Sequence, residues 1–148
     1  MKIKLIVVGK VKEEYYRNKI GYYAKSIRKK HSIDIVEIPD ESIPKNPSES
    51  VLESIKEKEG EKILGYIQNG DYVVALCIEG KTTGTDYIRE LCDKAIAKGG
   101  SLVYVIGGSL GLSKRVVSRA DYKMSFSKMT FPHQLMRVML LEQIDANV

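Results

Sequence analysis

The chain has 148 residues, 43% hydrophobic and 29% charged, with 24 Lys and Arg against 19 Asp and Glu. That length suits one domain with its own core, and the composition excludes a disordered chain. No apolar run approaches the roughly 18 residues of a membrane span, and the opening Met1-Lys-Ile-Lys-Leu-Ile-Val-Val-Gly9 reads as a first strand rather than a signal peptide.

The predicted elements alternate along the chain. Ile3 to Val8 is β-branched and apolar and stops at Gly9, which predicts a strand. Val11 to Lys30 predicts a helix, with Val11, Tyr15, Tyr16, Ile20, Tyr23 and Ile27 on one face and Lys and Arg opposite. Ile33 to Ile38 alternates as a strand and ends at Pro39; a proline-rich loop follows to Pro47. Ser48 to Ile67 predicts a charged helix opening near Ser48. Tyr72 to Ile78 predicts a buried strand, Gly80 to Gly84 a turn, and Thr85 to Ala97 a helix closed by Gly99-Gly100. Leu102 to Ile106 predicts a third buried strand, running into Gly107-Gly108-Ser109-Leu110-Gly111-Leu112. A short helix (Ser113 to Arg119), a last strand (Tyr122 to Phe126) and a helix opened by Phe131 or Pro132 complete the chain. Such alternation predicts one α/β domain over residues 1–148, with a mostly parallel sheet and helices on both faces.

Charge is unevenly spread. Residues 1–30 hold ten Lys and Arg and two acids, residues 31–100 eight and 14, residues 101–148 six and three. A basic first helix and a basic last third suit a polyanion such as nucleic acid; an ordinary solvated helix face accounts for them equally well. Cys77 and Cys92 have no CxxC spacing and read as reduced thiols. By themselves they form neither a disulfide framework nor a zinc site.

The strand that runs into the glycine turn is a candidate ligand site, because glycines let backbone N–H groups approach a ligand and parallel sheets bind at the carboxyl ends of their strands. A dinucleotide fold is disfavoured: GxGxxG is absent, Ser127 stands where an acidic ribose partner belongs, and only 41 residues follow Gly107. A Walker A loop fails for want of its Gly-Lys pair. The loop Ser125-Phe-Ser-Lys-Met-Thr-Phe-Pro-His-Gln134 mixes hydroxyls, a cation, aromatics and proline in a way that packing alone does not explain. With the glycine turn and Leu76-Cys-Ile-Glu-Gly80, it predicts three strand ends lining one pocket.

Val105-Ile-Gly-Gly-Ser109, followed by Phe126-Ser-Lys-Met-Thr-Phe-Pro-His-Gln134 and Arg137, resembles the ribosomal RNA large subunit methyltransferase H family of the SPOUT class. Met1-Lys-Ile-Lys, Pro39-Asp40-Glu41, Lys56-Glu57-Lys58-Glu59-Gly60 and Leu141-Glu142-Gln143 extend the likeness from residue 1 to about residue 144. The resemblance implies a knotted parallel-sheet fold with a C-terminal trefoil knot, a homodimer, and a cytoplasmic enzyme acting on the assembled ribosome. It implies methyl transfer from S-adenosylmethionine to N3 of a pseudouridine in 23S ribosomal RNA. The family's cofactor contacts fall on Leu76, Gly107, Phe126, Ser127, Lys128, Met129, Thr130 and Phe131.

The likeness ends at Gln143. The family continues with a Tyr-Arg-Ala segment and a Pro-Tyr-His tail, whereas here Ile144-Asp-Ala-Asn-Val148 follows. Removing the N3 proton needs a base or an electrostatic partner. His133 and Arg137 are the nearest replacements for what the tail supplies in the family, with Arg137 expected on phosphate or on an acid of a dimer partner. The alternative expectation is a folded S-adenosylmethionine-binding homodimer with weak or no activity.

Overall fold

A computed structural model describes residues 1–148 of the chain. The β-branched runs form β1 (Lys2–Val8), β2 (Ser32–Ile38), β3 (Tyr72–Thr82), β4 (Leu102–Ile106) and β5 (Tyr122–Ser125). The amphipathic stretches form α1 (Glu14–Ile27), α2 (Glu49–Leu64), α3 (Tyr87–Lys98), α4 (Lys114–Arg119) and α5 (His133–Asn147). The sheet order is β2-β1-β4-β3-β5, and every strand pair is parallel. β4 lies at the centre, which explains why all five of its residues are apolar and buried.

Alternate residues of β1 point to opposite faces of the sheet. Ile3, Leu5 and Val7 join Ala24 and Ile27 of α1, Leu91 and Ala95 of α3, and Leu140, Leu141 and Ile144 of α5 in one core. Ile6 and Val8 join Ile63 of α2 and Val116 of α4 in a smaller core on the other face. Burying a Leu side chain contributes about 1.5–3 kcal/mol, so the larger core carries most of the apolar stabilisation.

The helix ends follow local chemistry. Ser48 and Ser113 cap α2 and α4, accepting hydrogen bonds from the Val51 and Val116 N–H groups at 3.3 Å. Gly99 closes α3 at φ 91°, the left-handed conformation its place predicts. Asp86 stands before α3 but makes no side-chain cap.

Three expectations shift. α1 starts at Glu14 rather than Val11, because Arg17 Nη1 donates to the carbonyls of Val11 and Lys12 and holds that stretch as a loop. Tyr15, expected on the apolar face, is 66% exposed, with Lys19 Nζ 5.9 Å from its ring centre; Tyr16 and Tyr23 are half-buried. β3 does not stop at Ile78. It bulges and continues to Thr82, so that both Leu76 and Lys81 pair with Met124.

The amino ends of three neighbouring strands are tied by carboxylates. Asp71 Oδ1 and Oδ2 accept hydrogen bonds from the Ser101 and Gln68 N–H groups, and Asp121 Oδ2 accepts from Val73 N–H at 2.8 Å. Lys98 and Arg119 pair with Asp121 and donate to the Asp71 carbonyl.

Candidate functional site

A cavity of about 520 Å³ opens at the carboxyl ends of β3, β4 and β5. That size lies within the range of small-molecule and cofactor sites. All three segments singled out in the sequence line it: Leu76 to Glu79, the turn Gly107 to Leu112, and the loop from Ser125 to Pro132. Three helices add wall that sequence reasoning did not assign, through Lys56 of α2, Val117 of α4 and Met136 of α5. No local pattern places these residues at the cavity; each reaches it only through tertiary packing.

The cavity exists because each strand leaves regular geometry at this end. In β3 the bulge throws Cys77, Ile78 and Glu79 outward, and Ile78 is 62% exposed. Gly80 makes the bulge possible: a Cβ there would lie 2.8 Å from the Met124 carbonyl carbon and 2.9 Å from the Cys77 oxygen. After β4 the chain folds back at once, with Gly111 N–H donating to Gly108 O at 3.0 Å. Gly111 takes φ 81°, and a Cβ on Gly107 would meet the Gly111 backbone at 2.8 Å. After β5, Ser125 Oγ donates to Ser127 O, and Ser127 Oγ accepts from Met129 N–H at 3.0 Å. The serines thus shape the loop locally, in the manner of hydroxyl turns. The result is a wall of backbone and apolar side chains, with Met129 71% exposed.

Seven of the eight residues expected at a cofactor line this cavity: Leu76, Gly107, Phe126, Ser127, Met129, Thr130 and Phe131. Lys128 sits on the same loop, but its side chain is exposed and forms no part of the wall. An adenosine needs apolar surfaces around its ring and backbone donors and acceptors at its edge, and this wall offers both. No group of three His, Cys, Asp or Glu side chains is placed to hold a metal ion.

His133, at the start of α5, also lines the cavity. Burial and then the neighbouring Arg137 charge push its pKa below the ordinary value, so its ring is neutral at pH 7; Asp40 acts in the opposite sense. The Cys77 thiol is pushed up by burial and by Glu79, so it stays protonated and a poor nucleophile. Arg137 is not where the sequence placed it. Its side chain is buried: Nη2 donates to the Val8 and Gly9 carbonyls at 2.8 Å, and Nη1 reaches Glu37 Oε2 at 3.2 Å. It pins α5 to the end of β1 and cannot reach RNA or a partner. Asp40 packs beside Gly9 and Gly108. Glu41 donates its N–H to Glu59 and pairs with Lys62, so it ties the loop after β2 to α2.

Comparison with known proteins gives a consistent result. Residues 1–145 match the family described as "Predicted SPOUT methyltransferase". The chain is 50% identical over 145 residues to the "Ribosomal RNA large subunit methyltransferase H" of Lactococcus lactis subsp. lactis (strain IL1403). It is 48% identical to the protein of that name from Clostridioides difficile (strain 630) and 51% to that of Clostridium novyi (strain NT). Each match covers 97% of this chain and 91% of the relative.

Proposed function

This chain belongs to the SPOUT methyltransferase family, and on that premise we propose that it methylates N3 of a pseudouridine in 23S ribosomal RNA on the assembled ribosome. The observation that carries the reading is the cavity at the carboxyl ends of β3, β4 and β5, whose wall includes seven residues expected to hold S-adenosylmethionine. Bound there, S-adenosylmethionine supplies an activated methyl group on a sulfonium, so the reaction needs alignment rather than a Lewis acid. Gly107 and the loop from Phe126 to Phe131 orient the donor through backbone groups. The wall excludes water on its apolar sides, which strengthens every polar contact within it.

The nucleophile is N3 after loss of its proton. Its electron pair would take up the methyl group that S-adenosylmethionine, once bound, would supply from its sulfonium, leaving a neutral thioether. His133 is the proton acceptor this chain offers: a neutral imidazole on the cavity wall with no hydrogen-bonded partner of its own in the protein. Replacing it with Gln is expected to lower kcat by about 10²-fold, the usual worth of a general base, and to remove the acidic limb of the pH–rate profile, which lies below the ordinary histidine value.

The same reading carries the trefoil knot of the C-terminal third and a cytoplasmic homodimer. A groove of about 540 Å³ with mixed polar and apolar lining supports the dimer. It runs between α1 and α5, is lined by Tyr15, Tyr23, Leu135, Val138 and Met139, and adjoins the cavity through Phe126 and Phe131. A second copy of the chain related by a two-fold axis would cover it. No helix is long and apolar enough to cross a membrane.

The test is transfer of labelled methyl from S-adenosylmethionine to ribosomes that lack the modification, with one of the relatives as control. Label at N3 of a pseudouridine supports the reading. Cofactor binding without label, with the control active, shows instead a binding protein that has kept the site but not the reaction.

A further inference from the structure

The end of the sheet opposite the cavity carries a cationic surface that the methyl-transfer reading does not use. Lys2 of β1 meets Arg28, Lys29 and Lys30, which follow α1, around a shallow depression completed by His31 and Ser32. All four cationic residues are exposed. No carboxylate lies within 4.0 Å of any of them. Arg28 also donates to the Ile33 carbonyl, which fixes its guanidinium. His31 beside them is pushed below its ordinary pKa by burial and then by the amino group of Met1, while a hydrogen bond with the Val148 backbone acts in the opposite sense.

Cations after a helix compensate its dipole, which accounts for Lys29 or Lys30. It does not account for Lys2, which comes from a strand yet meets them at the same depression. Like charges held together without partners raise the energy of the fold, and they lower it only when a polyanion arrives. β1 runs seven residues from this surface towards the cavity, a separation of about 20 Å at strand rise. One nucleotide at the cavity therefore cannot also occupy this surface. A folded RNA presents phosphates over that distance.

We propose that Lys2, Arg28, Lys29 and Lys30 form a second contact with ribosomal RNA, binding backbone phosphates of a segment other than the one methylated. The proposal rests on the reading of ribosomal RNA as substrate. It makes the chain a bipartite reader: the cavity selects the nucleotide, and the far surface selects a particle that displays RNA at the right distance.

The test compares wild type with the triple variant Lys2→Gln, Lys29→Gln, Lys30→Gln. Arg28 is retained because it holds Ile33. A control triple, Lys45→Gln, Lys58→Gln, Lys94→Gln, removes the same charge elsewhere. Binding to large ribosomal subunits is measured across a salt series, independently of turnover, and methyl transfer is measured beside it. In the patch variant, subunit binding weakens about tenfold and the slope of log affinity against log salt falls by about 2, as expected for three lost phosphate contacts. KM rises with it, while kcat and affinity for S-adenosylmethionine stay at the wild-type level. Wild-type binding and slope in the patch variant overturn the proposal, as does an equal loss in the control triple. Loss of binding to anionic phospholipid vesicles, with subunit binding retained, reassigns the surface to a membrane and also overturns it. If wild type transfers no methyl but the patch variant alone loses subunit binding, the methylation reading fails and the RNA contact stands.

Discussion

The two ends of the parallel sheet are built on opposite rules. At the amino end, the residues just before β3 and β5 are aspartates, and their carboxylates accept N–H groups that would otherwise lack partners. Lys98 and Arg119 then bridge those aspartates, and the end is closed. At the carboxyl end, glycines replace aspartates, β3 bulges, and the chain turns back within four residues of β4. The exposed backbone there is left for a ligand. Across β3, β4 and β5 the fold thus gives charged side chains to one end and bare backbone to the other, while the unpaired cations beside β1 stand outside that division. Arg137 is the exception that locates the boundary: it closes the end of β1, two strands away from the cavity's centre, with the same charge-assisted bonding found at the amino end.

Breaking that exception gives the largest effect. Arg137→Met removes two short bonds to buried carbonyls, and unfolding in urea is expected to show a loss of about 3 kcal/mol. A loss under ~1 kcal/mol would mean that α5 is held by its apolar face alone. Next comes Gly80→Ala, which forces a methyl against the Met124 backbone. It is expected to cost about 2 kcal/mol by overpacking and to weaken S-adenosylmethionine binding in the same protein, seen by calorimetry. If only stability falls, the bulge is a folding device and not part of the site.

Asp121 sharpens the comparison from the closed end. Burial raises its pKa, but the Val73 N–H together with Lys98 and Arg119 outweigh burial and hold it below the usual carboxylate range. Its stabilising contribution is complete above the unfolded value, about pH 4, and is lost as pH falls through the lower folded value. Asp121→Asn is expected to cost about 1–2 kcal/mol at neutral pH and to flatten the acid limb of a stability–pH curve. An unchanged limb would assign acid sensitivity elsewhere. The smallest effect is expected from Ser127→Ala, which removes the acceptor for Met129 N–H. Cofactor affinity should fall about three- to tenfold, with the melting temperature unchanged.

Much of this was legible in advance, for physical reasons. Strands and helices alternate visibly because period-two and period-3.6 patterns switch at Gly9, Pro39, Gly70 and Gly99. The three cavity segments were legible because glycines and a mixed polar loop stood at strand ends. The bulge in β3 was not, because it depends on pairing Lys81 with Met124, a residue of another strand. Nor was the place of Arg137: in a helix of apolar neighbours a lone arginine reads as solvent-facing, and only the carbonyls of Val8 and Gly9, far back in the chain, show why it is buried. The stretch from Val11 to Glu13 was read as helix for the same reason, since the group that stops the helix is the Arg17 side chain.

The strand order sets a schedule for synthesis. β1 pairs with β2 on one side and β4 on the other, yet β2 ends at Ile38 and β4 begins only at Leu102. Translation proceeds at about 5–20 residues per second, so the second edge of β1 waits several seconds for its partner. Throughout that interval the apolar run Ile3 to Val8 presents an unpaired edge, the kind of surface that recruits other strands. The nascent chain is therefore most open to aggregation, and to chaperone capture, in a window that closes when β4 is made.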